Sequence, residues 1–274
     1  MTQGIIHDMP EAEYHAHPAL SSTQARQLLD SPARYNYAKS HPQPHKDAFD
    51  LGTAVHTKVL GVGAEVITYP DEHLTPSGSV STKAATVAWA EEQRANGFVV
   101  IGAAQAKHVN GMAEAVLAHV EARAVLEKTV GREVSIFAKI DGVNTRARFD
   151  IYDGVNAADL KTTRDASPRG FNTSVGRYGY HIQDRWYAEA HTAVTGAELE
   201  SFKFVVVENV APYMVAVYDL DDVWGYVATQ QTKRARDLYL SGVETGVWPG
   251  YESARLTPPA WATYEAEEEI ELKL

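Results

Sequence analysis

The sequence contains no cysteine among its 274 residues. Disulfides, iron–sulfur clusters and thiolate zinc sites are therefore excluded, because each of them needs cysteine sulfur. Long apolar runs are missing as well, since none approaches the ~18–20 residues that span a bilayer. The first residues also lack the basic start and the apolar centre of a signal peptide. We therefore expect a cytoplasmic protein with no membrane partner.

Positive charge is also scarce. Lys and Arg number 25 against 36 Asp and Glu, which gives a net charge of −11. Indiscriminate binding of nucleic acid depends on Lys and Arg that replace counterions on the phosphates, so the overall charge argues against it. The distribution is uneven, because acidic residues crowd positions 265–271 while the centre of the chain is locally basic. The basic residues of this centre are Arg146, Arg148, Lys161, Arg164, Arg169, Arg177 and Arg185.

The order of the predicted elements indicates an α/β fold. Helices precede a strand at 132–140; a hairpin, a long helix over 174–195, two strands and a closing helix follow. This order predicts a mixed central sheet flanked by helices. At this length we expect a single domain. It divides into an N-terminal helical extension (1–48), a core (49–240) and a C-terminal tail (241–274).

The hairpin in the middle of the chain has the most informative pattern. Asp153-Gly154 strongly favours a tight two-residue turn, and with this turn Asp150 faces Ala157 on the second arm. Side chains two apart on a strand share a face. The charged groups of Asp150, Asp159 and Lys161 are therefore predicted to converge.

Such a cluster would suit a divalent cation. Asp150 and Asp159 are predicted to lie roughly 7–8 Å apart across the strands, where uncompensated carboxylates repel. One cation with oxygen bonds of about 2.0–2.6 Å can bridge them. Lys161 adds a positive charge suited to polarising a water or holding a phosphoryl oxygen. From the hairpin alone, a surface hairpin with solvated charges is equally well supported.

Four further polar residues interrupt apolar patterns. His56 lies in a helix predicted over 47–60, where a lone histidine is more often a core residue than a ligand. Glu133 begins the strand before the hairpin, where a solvent-facing side chain is the simpler interpretation. Gln183 and Tyr187 share one side of the long helix with Tyr180. A glutamine in a core needs hydrogen-bond partners, so Gln183 is a candidate site residue.

Together these motifs closely resemble the PD-(D/E)XK nuclease superfamily, whose core is restriction-endonuclease-like. The pattern is Asp150, then Asp159-Leu160-Lys161, then Gln183 and Tyr187 on the next helix, with His56 upstream. Residues 52–56, 159–163 and 180–187 look most like RecE-type exodeoxyribonucleases of the RecB-like branch, which are often phage-borne. The resemblance spans roughly residues 14–251. Phe149 stands where the motif usually has proline, which removes no ligand.

The resemblance implies roles for individual residues. His56, Asp150, Asp159 and the carbonyl of Leu160 would hold Mg²⁺ or Mn²⁺, and Glu133 could reach a second ion. Lys161 would position or help to deprotonate the attacking water during phosphodiester hydrolysis. Gln183 and Tyr187 would orient Lys161 or touch the DNA backbone. The residues expected to contact DNA are Arg148, Thr162, Thr163, Arg164, Arg177 and Arg185.

The resemblance also implies a biological role. RecE-type proteins degrade linear double-stranded DNA from the 5′ end, as ring-shaped homo-oligomers that pass the 3′ strand to a single-strand annealing protein in recombination. The missing cysteines count against relatives that carry an iron–sulfur cluster. Two alternatives stay open. One is a DNA-end binding module that has lost catalysis, and the other is a site-specific endonuclease of the same fold.

Overall fold

The computed structural model describes residues 3–41, 47–128 and 131–259, with only the backbone for residues 47–50. Within these ranges the strands are β1 (Gly4–Ile6), β2 (Val66–Thr68), β3 (Val99–Ile101), β4 (Gly131–Ile140), β5 (Val143–Tyr152), β6 (Asn156–Thr163), β7 (Ser201–Glu208) and β8 (Val215–Tyr218). The helices are α1 (Glu11–Ala16), α2 (Ser22–Asp30), α3 (Pro32–Ser40), α4 (Asp47–Leu60), α5 (Ala84–Ala95), α6 (Ala103–Ala118), α7 (Val120–Glu127), α8 (Pro168–Tyr178), α9 (Tyr180–Thr195) and α10 (Asp222–Thr245).

Six strands form the central sheet in the order β1-β4-β5-β6-β7-β8. Among the described strands of this sheet, β6 and β7 pair in parallel, and the other neighbours are antiparallel. The parallel connection from β6 to β7 contains α8 and α9, as parallel strands need a crossover. A separate pair, β2 and β3, is parallel. The predicted α/β fold with a mixed sheet flanked by helices is confirmed.

Helices cover both faces of this sheet. On one face α9 lies against β4 and β5, and α2, α8 and α10 pack around it over a core that includes Trp186. On the opposite face α4, α6 and α7 enclose a second core that includes Met112 and Leu160. Neighbouring residues of a strand point to opposite faces. Leu160 therefore faces α4, whereas Asp159 and Lys161 face α9.

Two features differ from the sequence predictions. The long helix expected over 174–195 is two helices, because Gly179 adopts a left-handed φ of 70° between α8 and α9. Glycine takes this conformation without steric cost and commonly ends helices. The N-terminal extension over 1–48 was expected to be helical, yet β1 adds an edge strand to β4. A strand of three residues has too little pattern to be recognised without its partner.

Two arginines of β5 hold α1 in place. The guanidinium of Arg146 donates to the carbonyls of Tyr14, His15 and His17 at the C-terminal end of α1. The guanidinium of Arg148 lies 4.3 Å from the centre of the Tyr14 ring. Backbone carbonyls at a helix end lack partners within the helix, and basic side chains satisfy them. Within the described residues, no helix is both long enough and apolar enough to cross a membrane.

Trp186 is expected to be a main contributor to the free energy of unfolding. Its side chain is fully buried, and its Nε1 donates to the carbonyl of Arg146 at 3.2 Å. Trp186→Ala should lower the free energy of unfolding by about 3–5 kcal/mol in urea denaturation. The control is Tyr226→Ala, because Tyr226 is 69% exposed on α10. Equal losses in the two variants would contradict this assignment.

Candidate metal centre and active site

The turn of the β5–β6 hairpin begins one residue later than the sequence predicts. The amide of Asp153 donates to the carbonyl of Asn156 at 3.0 Å, which leaves Gly154 and Val155 as the loop. The carboxylate of Asp153 accepts the amides of Val155 at 3.0 Å and of Asn156 at 2.6 Å. Asp side chains often stabilise turns by bonding to backbone amides that follow them. Because Asp153 bonds to the turn in this way, the register of the hairpin differs from the predicted register by two residues.

The shifted register brings two acidic positions level with each other. Ala157 pairs with Tyr152, so the predicted pairing of Ala157 with Asp150 is wrong. Continuing the observed register sets Asp150 opposite Asp159. Regular pairing between β5 and β6 ends one pair beyond Tyr152, whereas β6 pairs with β7 along its whole length. The two strands therefore separate at the level of these carboxylates.

The backbone of Leu160 lies at this separation and has no strand partner on the β5 side. Its amide donates to Oδ2 of Asp150 at 2.8 Å. Its carbonyl lies 2.7 Å from Nε2 of His56 on α4. A carbonyl only accepts hydrogen bonds, so Nε2 of His56 is the donor. Nδ1 of the same ring lies 3.3 Å from Oδ2 of Asp150, and the three residues form a closed cluster.

Glu133 completes the cluster from β4. The pairing of β4 with β5 sets Glu133 opposite Asp150, and Glu133 has a left-handed φ of 53° that interrupts the ladder. One ligand atom each from His56, Glu133 and Asp150 lie within 4.8 Å of one another. An imidazole and two carboxylates suit a divalent cation. These residues therefore fit a site for a divalent cation. The set differs from the one that the resemblance implied, which joined Asp159 rather than Glu133 to His56 and Asp150.

The electrostatics of the cluster support the same interpretation. Burial, followed by repulsion from Asp150, raises the pKa of Glu133 to about 7. Burial and the charge of Asp159 raise the pKa of Asp150 well above its usual range. Burial lowers the pKa of His56. Crowded carboxylates in a buried site favour protonation unless a cation balances their charge.

The second predicted carboxylate has different partners. Oδ2 of Asp159 lies 2.5 Å from Nζ of Lys161. Its Oδ1 accepts a hydrogen bond from the side-chain amide of Gln183 on α9. Burial alone would lower the pKa of Lys161, but Asp159 and Asp150 outweigh burial and the pKa is raised. Lys161 is therefore charged, and Gln183 has the polar partner that its burial requires.

Sequence reasoning did not find the contact between Lys161 and Tyr180. The ammonium of Lys161 lies 4.7 Å from the centre of the Tyr180 ring, a cation–π contact. Tyr180 is the first residue of α9, three positions before Gln183, so that both side chains lie on one side of the helix. The spacing of Tyr180, Gln183 and Tyr187 in the sequence indicated that they share one side of the helix. It does not show which of the three side chains reaches Lys161.

The other predicted residues occupy different environments. Tyr187 is 8% exposed, and its ring lies 5.0 Å from that of Phe149, so its predicted role near DNA stays a prediction. Arg148 is buried, and it donates to Oγ of Ser135 at 3.0 Å and to the carbonyl of Met9 at 2.7 Å. Its Nη1 also lies 3.7 Å from Oε2 of Glu133.

The predicted DNA-contacting residues beyond Arg148 lie at or near the surface. Arg185 is exposed on α9 and pairs with Glu189 at 2.9 Å. The carbonyl of Thr163 accepts the amide of Asn209 at 2.7 Å. Thr162 and Thr163 are half-buried. The three arginines, Arg164, Arg177 and Arg185, are exposed.

Comparisons with known proteins bear on the family and the fold of the chain. Residues 21–257 match the model of a family described as a PDDEXK-like domain of unknown function (DUF3799). A search of curated proteins found no match. Among solved structures, a proposed exonuclease from Eubacterium rectale is similar in fold. Its TM-score is 0.64 at 14% identity, over 95% of this chain and 99% of that chain.

A second solved structure, an alkaline exonuclease from Laribacter hongkongensis, matches 72% of this chain and 93% of its own at 16% identity. Its TM-score of 0.27 is too low to support an argument. The likeness to the Eubacterium rectale protein shows a shared fold alone.

A divalent cation is expected to stabilise the folded protein through the cluster of His56, Glu133 and Asp150. At a Mn²⁺ concentration about 100 times its Kd, binding should add about 2.7 kcal/mol, which raises Tm by roughly 5–10 °C. Asp150→Asn keeps an acceptor for the Leu160 amide but removes a charge, so the rise in Tm should be largely lost. Differential scanning calorimetry with and without Mn²⁺ measures this.

The matched control for this substitution is Asp219→Asn, because the Asp219 side chain is 71% exposed and its partner is Lys203. This variant should keep the full rise in Tm. Equal rises in both variants would show that the ion binds elsewhere.

Proposed function

Since the chain belongs to the family of PDDEXK-like domains, whose fold is that of nucleases, we propose that it is a metal-dependent exodeoxyribonuclease acting on linear double-stranded DNA. The observation that carries this proposal is the separation of β5 and β6. At that point a cluster of His56, Glu133 and Asp150 lies beside the ion pair of Asp159 and Lys161. Carboxylates and a buried cationic group at one position suit hydrolysis of a phosphodiester.

Mg²⁺ or Mn²⁺ would be held by His56, Glu133 and Asp150. The resemblance adds the carbonyl of Leu160 and Asp159 as further ligands, and Asp159 would have to give up its contact with Lys161 or Gln183 to bind the ion. When bound, such an ion acts as a Lewis acid that lowers the pKa of water and offsets charge on the phosphate. His56 and Asp150 are positioned for this by the backbone of Leu160, to which both are hydrogen-bonded.

Lys161 would act as a hydrogen-bond donor. Burial lowers its pKa, but Asp159 and Asp150 outweigh burial and raise it, which favours the ammonium as a donor over the free amine as a base. Asp159 and the ring of Tyr180 hold the ammonium between them. In this position it can orient the attacking water or a phosphoryl oxygen as negative charge develops there. Gln183 occupies the other oxygen of Asp159 and fixes the orientation of that carboxylate.

The finer features of the proposal rest on the resemblance to RecE-type proteins. We propose cleavage from 5′ to 3′, a ring-shaped homo-oligomer, and a single-strand annealing protein as partner in recombination. A ring allows basic residues to line a channel while the acidic exterior maintains solubility. The pairing of β1 with β4 supports a single domain that includes the N-terminal extension.

Among the residues predicted to contact DNA, Arg164 and Arg177 are exposed and available to phosphates. Arg185 would have to leave its pair with Glu189. The guanidinium of Arg148 is already bonded to Ser135 and Met9, so a position beside Glu133 is the better interpretation of its role.

Digestion of end-labelled linear duplex in Mg²⁺ tests the proposed activity. We expect 5′-labelled mononucleotides to be released, and Asp159→Ala to reduce the rate at least about a hundredfold. Covalently closed circles should survive. Cleavage of circles would favour the endonuclease, and bound but intact linear duplex would favour the DNA-end binding module.

Tyr180 is proposed to position Lys161 through its ring. Tyr180→Phe keeps the ring and should leave kcat within about twofold of wild type, whereas Tyr180→Leu loses the cation–π contact of about 1–2 kcal/mol and should lower kcat roughly tenfold with little change in KM. Steady-state hydrolysis of the same duplex measures both constants. A purely structural role for Tyr180 would leave the leucine and phenylalanine variants with the same kcat once both are shown to be folded.

A further inference from the structure

One side of α8 is fully polar and exposed. Its residues recur at i, i+3, i+4, i+7 and i+8, which places them together on a helix. They are Arg169, Asn172, Thr173, Gly176 and Arg177, all exposed, and we refer to them as the α8 face. The opposite side of the helix carries Phe171 and Val175, which are buried in the core against α9.

The charge of the α8 face differs from that of the chain as a whole. The protein has a net charge of −11, yet no Asp or Glu occurs from residue 166 to residue 183. The nearest carboxylate before the helix is Asp165, which accepts a hydrogen bond from the amide of Ser167 at 2.9 Å, lies against Gly170 and is near enough to Arg169 for their charges to attract. The α8 face therefore presents two arginines with no acidic residue of its own helix beside them.

Asn172 is held in one orientation on this face. Nε1 of Trp224 on α10 donates to Oδ1 of Asn172 at 2.9 Å. An indole N–H can only donate, so the amide oxygen is turned toward Trp224 and the NH₂ group is turned away. No partner for that NH₂ group is found among the residues that the structure describes. The orientation leaves its N–H donors free for an external acceptor.

Trp224 is itself fixed. Its ring lies 4.7 Å from that of His181, whose Nε2 is bonded to Oε1 of Gln231 at 2.7 Å. The other ring nitrogen of His181 lies 3.1 Å from the carbonyl of Val175 on α8. The donors of Asn172 are thus held by contacts that join α8, α9 and α10.

The α8 face leads to the candidate active site. Tyr180, whose ring covers Lys161, follows α8 after a single residue, Gly179. The carbonyl of Tyr178, the last residue of α8, accepts a hydrogen bond from Nη1 of Arg26 at 2.6 Å. Arg26 thus adds a positive charge at the C-terminal end of α8. Over its 11 residues α8 spans about 16 Å, which corresponds to roughly four or five steps of one DNA strand at ~3.4 Å each.

We propose that the α8 face binds the phosphate backbone of the duplex and guides it to Lys161. Arg169 and Arg177 neutralise phosphates, and the NH₂ group of Asn172 donates to a phosphate oxygen between them. The face makes no base-specific contact, so it binds duplexes of any sequence. This inference rests on the proposed function, because it assigns a binding surface for the same substrate.

Binding of a linear duplex in EDTA, measured by fluorescence anisotropy from 50 to 300 mM KCl, separates this surface from catalysis. Each phosphate contact contributes roughly 0.9 to the slope of log Kd against log salt. The double variant Arg169→Gln/Arg177→Gln should therefore lose nearly 2 from the slope and raise Kd at least about tenfold. The control is Lys107→Gln/Arg123→Gln on α6 and α7, the opposite face of the sheet.

A second pair of variants tests the donors of Asn172. Asn172→Asp keeps the oxygen that accepts from Trp224 but replaces the donors by a negative charge, so Kd should rise about fivefold or more. Asn110→Asp makes the same change at an exposed position on α6 and should leave Kd unchanged.

Each outcome has a distinct meaning. Wild-type affinity in the α8 variants, or a change in their oligomeric state without a change in Kd, overturns the proposed surface and leaves the nuclease proposal intact. If the α8 variants bind the duplex more weakly than the wild type but the wild type cleaves nothing, the surface is supported and the proposed activity is overturned. A wild-type protein that binds no duplex in EDTA overturns the surface, and one that also cleaves none in Mg²⁺ overturns both.

Discussion

The candidate site depends on the unpaired backbone of Leu160. Because β5 and β6 separate after two pairs, the amide and carbonyl of Leu160 have no backbone partner on the β5 side. A buried polar group without a partner costs about 1–3 kcal/mol, so side chains must satisfy both groups. Asp150 accepts from the amide and His56 donates to the carbonyl. The hydrogen bonds that this break in the sheet requires are the same bonds that bring two potential metal ligands together.

Charge balance divides the site into two parts. Asp159 has a cation of its own in Lys161, with which it forms a close ion pair. Among the residues that the structure describes, no lysine or arginine lies as close to Asp150 or Glu133, since the guanidinium of Arg148 lies 3.7 Å from Glu133 and is bonded elsewhere. Their raised pKa values follow from burial and mutual repulsion. A divalent cation is the partner that would balance this second part.

Much of the fold could be read from the sequence because its patterns are local. The apolar spacing of residues 47–60 predicted α4 with the bounds that the structure has. The register of the hairpin could not be read, because it depends on whether Asp153 bonds to the turn amides or lies within the loop. In the site, the motif singled out the residues of both parts. It could not give their grouping, since this depends on where β5 and β6 separate.

The pairing of β1 with β4 also has a consequence for biosynthesis. Residues 4–6 leave the ribosome about 130 residues before their partners at 135–137. The residues of β1 and α1 therefore have no sheet to pack against until β4 and β5 have been synthesised. Contacts between residues so distant in sequence slow folding and expose strand edges during synthesis.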